Sequence, residues 1–137
     1  TEEDGDLELV QSLLKVMQDT SADFTNTFRS LSEEVLVTES QLPVAFQNWG
    51  IRWRDRLKRD ERTQEEIASQ MRSVNSAVIA RNHRVEEALT AAEEHNDLSL
   101  LHSLVAALTS PFCTEPEKAH YCEPPPDDSS YRTYCGT

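Results

Sequence analysis

The sequence predicts an all-α protein: five to six helices in an irregular bundle over residues 1–110, followed by an extended, proline-rich tail over residues 111–137. Three observations carry this. Apolar residues recur at three- and four-residue spacing through the first part, the period of a helix face. Glycine is rare there (Gly5 and Gly50), and Pro43 is the lone proline before residue 111. No stretch alternates apolar and polar residues over the length of a half-buried strand.

Asp6 is placed to cap a first helix whose inward face is Leu7, Val10, Leu13, Leu14 and Met17. The cluster Asp19-Thr20-Ser21 stops it, and Thr20 or Ser21 can cap a second helix carrying Phe24, Phe28 and Leu31. Val35, Leu36 and Val37 are candidates for a short buried connector. Pro43 suits the opening of a third helix, where its missing N–H leaves no bond unmade. Phe46, Trp49, Trp53 and Leu57 then give that helix the heaviest core contribution. Gly50 inside it costs about 1 kcal/mol against alanine, or else allows a close helix crossing. Thr63-Gln64-Glu65-Glu66 has the form of a capping box, opening a fourth helix with Ile67, Met71 and Val74. Asn75 and Ser76 end it. A fifth helix over roughly residues 82–94 turns Val85, Ala88, Leu89 and Ala92 inward, with Asn82 as its cap. Asp97 or Ser99 caps a sixth, which carries Leu100, Leu101, Leu104, Val105 and Leu108 and stops at Ser110-Pro111.

The remainder holds five of the six prolines, among them Pro124-Pro125-Pro126, and no helical period. It reads as a tail lying on the helical body, pinned by Phe112, Tyr121, Tyr131 and Tyr134; the competing reading is a ligand for a proline-binding module.

With 25 acidic against 13 basic residues, the net charge of −12 argues against a general grip on nucleic acid or anionic lipid. The chain starts at Thr1, which reads as a cut inside a longer protein or a processed end. Neither a signal peptide nor a transmembrane span is expected, so the chain is expected to be soluble. Six cations, Arg52, Arg54, Arg56, Lys58, Arg59 and Arg62, crowd one segment. They are read either as a solvated face pairing locally with Asp55, Asp60 and Glu66, or as a docking surface for an acidic partner.

Catalytic constellations are not evident. Phosphate-cradling glycine loops, HExxH, GxSxG and kinase signatures are not present in the sequence. His83, His95, His102 and His120 stand alone in sequence, and adjacent acids such as Glu86-Glu87 diverge by about 100° on a helix. Arg81 and Arg84 are read as ion-pair anchors at the start of the fifth helix. No catalytic, cofactor-binding or metal-binding residue is assigned. The three cysteines, Cys113, Cys122 and Cys135, form no CxxC or zinc spacing. Cys135, beside Gly136 near the terminus, is either a reactive thiol able to reach a partner or an inert one.

Two stretches resemble the C-terminal end of a known family. They are Val74-Asn75 through Arg81-Asn82-His83-Arg84-Val85-Glu86-Glu87-Ala88, and the ending Tyr131-Arg132-Thr133-Tyr134-Cys135-Gly136-Thr137. Ala22-Asp23-Phe24-Thr25, Phe28-Arg29-Ser30-Leu31, Trp49, Trp53 and Ser110-Pro111-Phe112 support the match. The family is selenoprotein O, also called YdiU, whose members look like protein kinases and move AMP from ATP onto protein hydroxyls. Two departures show: the family usually has proline where Ser76 and Ala80 stand here.

The resemblance implies a non-catalytic helical region that packs on a kinase-like core lying upstream. That core would bind ATP with Mg or Mn and act on Ser, Thr or Tyr of protein substrates. Cys135 matches a position where members carry selenocysteine or cysteine, which implies a redox-regulatory thiol bridging to the absent core. A cytoplasmic, bacterial-type chain is expected, with no nucleic-acid or membrane partner. The alternative expectation is an independent helical interaction module, working through the arginine-rich face or the tail. Cys113 and Cys122, nine residues apart, remain an alternative pair for a bridge.

Overall fold

A computed structural model describes residues 4–112, 115 and 118–125. Among them the chain forms seven helices and no strand: α1 (Asp6–Asp19), α2 (Phe24–Glu34), α3 (Val44–Leu57), α4 (Gln64–Val74), α5 (Asn82–His95), α6 (Ser99–Leu108) and α7 (Ala119–Cys122). The all-α expectation holds, with one short helix more than the sequence predicts. The chain divides into two compact units, Thr1–Asn75 and Ser76–Thr137. Sequence patterning gave no sign of a division at residue 75.

In the first unit, α1 packs on α3 and α2 on α4. Leu13, Met17, Leu31, Val35, Phe46, Trp49, Trp53, Ile67 and Ala68 form its core. The two indoles stack 5.4 Å apart, and the Trp49 Nε1–H donates to the Leu9 carbonyl at 2.9 Å, so the ring is buried with its polar edge satisfied.

Several caps differ from expectation for local reasons. Gly5, at φ 99°, precedes α1, and Asp6 becomes a first-turn acid instead of the cap. Thr20 turns its hydroxyl back onto the Val16 carbonyl, and Ser21 takes a left-handed φ of 50°. The cap of α2 therefore passes to Asp23, whose carboxylate accepts from the Asn26 N–H at 2.8 Å. The box at Thr63 and Glu66 forms as predicted, with both reciprocal bonds present.

Some predicted core residues are outside. Leu7, Val10, Leu14, Phe24, Leu36 and Val74 are exposed; Phe24 meets the partly buried Phe28 in a tilted ring contact. Gly50 opens space for a side chain, and no helix crosses there: a Cβ at that position would lie 2.6 Å from Leu42 Cδ1.

The second unit is built on small residues. Ala77, Val78, Ala88, Leu104, Ala107 and Tyr121 make its core, around the pair α5 and α6. Leu89, Leu100 and Val105, expected inward, are exposed. The N–H groups of Ala77 and Val78 both donate to the Pro111 carbonyl, at 2.7 and 3.1 Å, closing the unit's entry loop onto the end of α6. Arg81, in extended conformation, precedes α5, so Asn82 is its first residue and not its cap. Leu98 precedes α6, while Asp97 accepts from the Ser99 N–H.

Within the segment expected to be extended, residues 119–122 are helical and Tyr121 is buried as anticipated, whereas Phe112 is exposed. Tyr131, Tyr134 and Pro126 lie outside the described residues.

Candidate functional site

The Arg52–Arg62 segment is the densest run of cations in the chain, and the fold partners much of it within the first unit. The long-range partners come from α1 and α2, beyond the reach of local patterning. Arg52 meets Glu8 at 3.0 Å. Arg56 forks onto both carboxylate oxygens of Asp6, at 2.8 and 3.2 Å. Arg54 reaches the end of α2, where it pairs with the Glu34 carboxylate and donates to the Glu34 and Val37 carbonyls at 3.2 and 3.1 Å. Two of the expected local acids are used: Asp55 by Lys58 at 2.8 Å and Asp60 by Arg62 at 2.6 Å. Glu66 instead completes the cap of α4.

Glu34 is the most buried acid in this arrangement. Burial pushes its carboxyl up, but hydrogen bonds from Arg54, Ser40 and the Gln41 N–H outweigh that and hold it below the usual glutamate range. A cleft of roughly 320 Å³ lies beside the pair. Arg54, Lys58 and Arg62 contribute positive charge to its wall, Glu34 and Asp60 negative, and its lining includes no histidine or cysteine. Its charges are paired with one another or with neighbours, and the Thr63 cap occupies the start of α4. The cleft has the chemistry of a structural ion-pair network, in which the buried Arg54 Nε–H alone of that side chain makes no hydrogen bond among the described residues, and holds no nucleophile beside a base.

Arg29 does a related job at the other end of α4. Its Nη1 donates to the carbonyls of Arg72 and Asn75, each at 2.9 Å, covering acceptors that a helix end leaves open. Arg72 forks onto Glu33, whose carboxyl is held low chiefly by that hydrogen bond. The structural roles of Glu34 and Arg29 are not legible in the local sequence, because each partner lies 20 or more residues away.

The second unit explains the arginines of the stretch Arg81-Asn82-His83-Arg84. Arg81 is buried and donates to the Cys122 carbonyl at 3.0 Å. Arg84 donates to the His120 carbonyl at 3.1 Å and pairs with Glu87 at 2.9 Å and Glu123 at 3.6 Å. Both hold the last carbonyls of α7 against α5. The anchoring role expected of them is therefore observed, directed mainly at backbone. His83 and His95 border an open groove with Glu86, Glu87, Thr90 and Leu100. No grouping of three or more His, Cys, Asp or Glu suited to a metal ion occurs among the described residues.

Cys135, the one redox candidate, lies outside the described residues, as does Cys113. The half-buried Cys122 thiol points at the Lys118 carbonyl, 3.7 Å away. No helix among the described residues is long and apolar enough to cross a membrane.

Comparison with known proteins gives this scaffold a family. The family model described as "Protein adenylyltransferase SelO" matches residues 1–109. Among curated relatives, the "Protein nucleotidyltransferase YdiU" of Rhizobium etli (strain CIAT 652) is 48% identical over 145 residues, covering 99% of this chain and 29% of the relative. The protein of the same name from Syntrophotalea carbinolica is 45% identical, covering 100% of this chain and 28% of its own length. That from Geobacillus kaustophilus is 44% identical, again covering 28% of its own length. The chain thus spans less than a third of the curated relatives it matches. With a family match over most of its length and such identities across nearly all of it, the chain belongs to the SelO family of protein adenylyltransferases.

Proposed function

We propose that this chain is the helical C-terminal portion of a protein adenylyltransferase, non-catalytic by itself, which packs on a kinase-like core carried by the rest of a longer polypeptide. The observation that carries the reading is the disparity in coverage: 99% of this chain aligns to 29% of a relative named as a nucleotidyltransferase. The described side chains support it, because the densest charge clusters are spent on holding helices together. In this reading the remaining polypeptide binds ATP with Mg or Mn and receives the protein hydroxyl. Cys135 serves as a redox-regulatory thiol whose partner cysteine lies in that core.

The test is AMP transfer from labelled ATP to protein. The chain alone transfers none, and the longer protein does. Transfer by the chain alone overturns the proposal. For the thiol, peptide mass spectrometry of the oxidised longer protein should find Cys135 in a disulfide; recovery of Cys135 solely as a thiol under oxidising conditions removes that role.

A further inference from the structure

Helix α1 is apolar over more of its circumference than the first unit covers. Leu9, Leu13, Val16 and Met17 are buried in the core or packed against it. Leu7, Val10 and Leu14 continue the same apolar face, yet are 69%, 49% and 42% exposed. At about 100° per residue the two sets together span roughly 180°, against the ~100° stripe that suffices for one packing partner. Polar residues occupy the remaining arc except Asp6, which falls within the apolar arc at the first turn and is paired there with Arg56.

Three features indicate what covers the extra stripe. The residues beyond its outer edge are Gln11 and Gln18, which are neutral, while Glu8, Lys15 and Asp19 lie further round. On this side the stripe can be buried without taking an unpaired ion out of water, and the acid at its inner edge, Asp6, is already paired with Arg56. More than two thirds of the length of the relatives lies outside the part this chain matches. Finally, α1 is the first helix among the described residues, so the core that the functional reading places upstream would be tethered close to Leu7 and meet the stripe at high effective concentration.

We infer that Leu7, Val10 and Leu14 form the docking face for the polypeptide that precedes this chain in the longer enzyme. The inference rests on the functional reading above and names the surface through which the two parts join. The occupant is the preceding domain of the same polypeptide. A second copy of this chain is the rival.

Cysteine accessibility tests it. Val10→Cys, Leu14→Cys and the control Lys15→Cys are made singly in this chain and in the longer protein. Maleimide labelling is read by mass spectrometry on the α1 peptide, which holds no native cysteine. Positions 10 and 14 label at least ten-fold more slowly in the longer protein, while position 15 labels equally in both. Equal rates at 10 and 14 overturn the inference. So does protection in the chain alone that vanishes on dilution, since a second copy is then the occupant.

Val10→Asp supplies an independent arm. It lowers the melting temperature of the longer protein by more than that of the chain alone, where Val10 is already half exposed; an equal or smaller shift in the longer protein overturns the inference. AMP transfer measured on the same longer protein separates the two proposals. Transfer without protection sinks the docking face alone, and protection without transfer sinks the catalytic reading alone.

Discussion

Replacing Arg54 by alanine removes the partner of a nearly buried acid. The Glu34 side chain is 5% exposed, and the arginine that neutralises it also ties down the Glu34 and Val37 carbonyls. Breaking one side of a buried pair costs about 3–5 kcal/mol, because the abandoned charge has no water to return to. A quarter of the Arg54 side chain is solvated, 25%, which lets solvent replace part of the loss, so about 3 kcal/mol is expected. Both tryptophans lie in α3 of the first unit, so urea denaturation followed by their fluorescence reports that unit selectively.

The pH dependence has a defined sign. Glu34 is held below its unfolded value, so its contribution is present above about pH 4.3 and is lost as pH falls through the lower folded value. Arg54→Ala should therefore flatten the acid limb of the stability curve. The paired change Glu34→Gln with Arg54→Met should cost less than the sum of the single changes by at least ~1 kcal/mol. A loss below ~0.5 kcal/mol for Arg54→Ala at neutral pH would refute the view that this pair joins α2 to α3.

Three further outcomes are expected, the first two from the same urea denaturation. Thr63→Ala removes half of the capping box and should cost about 1 kcal/mol. Gly50→Ala should stay within ~1 kcal/mol of the parent, since the terminal methyl of Leu42 can swing aside, whereas Gly50→Val overfills the notch and should cost about 2 kcal/mol. Ser76→Pro should stabilise the second unit by about 0.4–1 kcal/mol, because the preceding Asn75 is already extended and the amides donating to Pro111 belong to Ala77 and Val78. Helix signal against temperature measures the last case.

What could be read from the sequence was what is encoded locally. Thr63 and Glu66 are three residues apart, so their reciprocal bonds were visible as a spelling. The periods of α1, α3 and α5 were equally plain. Half of the α1 face nevertheless stayed exposed, because periodicity reports that a face is apolar and says nothing about what covers it. Arg54 was legible as a cation but not as the partner of Glu34, since 20 residues of chain must fold before they meet. The left-handed Ser21 moved a cap by two residues, a choice made by the turn and not by capping propensity. The α7 turn escaped notice because four residues are too few to show a period. Cys135 stands out by its place beside Gly136 near the terminus, its redox role is implied by resemblance alone, and it lies outside the described residues.

Tyr121 supplies the one aromatic ring among the described buried residues of the second unit, whose other core members are alanines, a valine and a leucine. That ring arrives late in the chain, from a segment that composition alone marks as dispensable. Trimming the polypeptide just after Pro111 would delete the bulkiest wedge from a nucleus otherwise assembled from methyl groups, and would strip Arg81 and Arg84 of the carbonyls they grip. Losing the residues after Pro111 should consequently be felt by the packing of α5 against α6, making α7 a keystone for the helices before it.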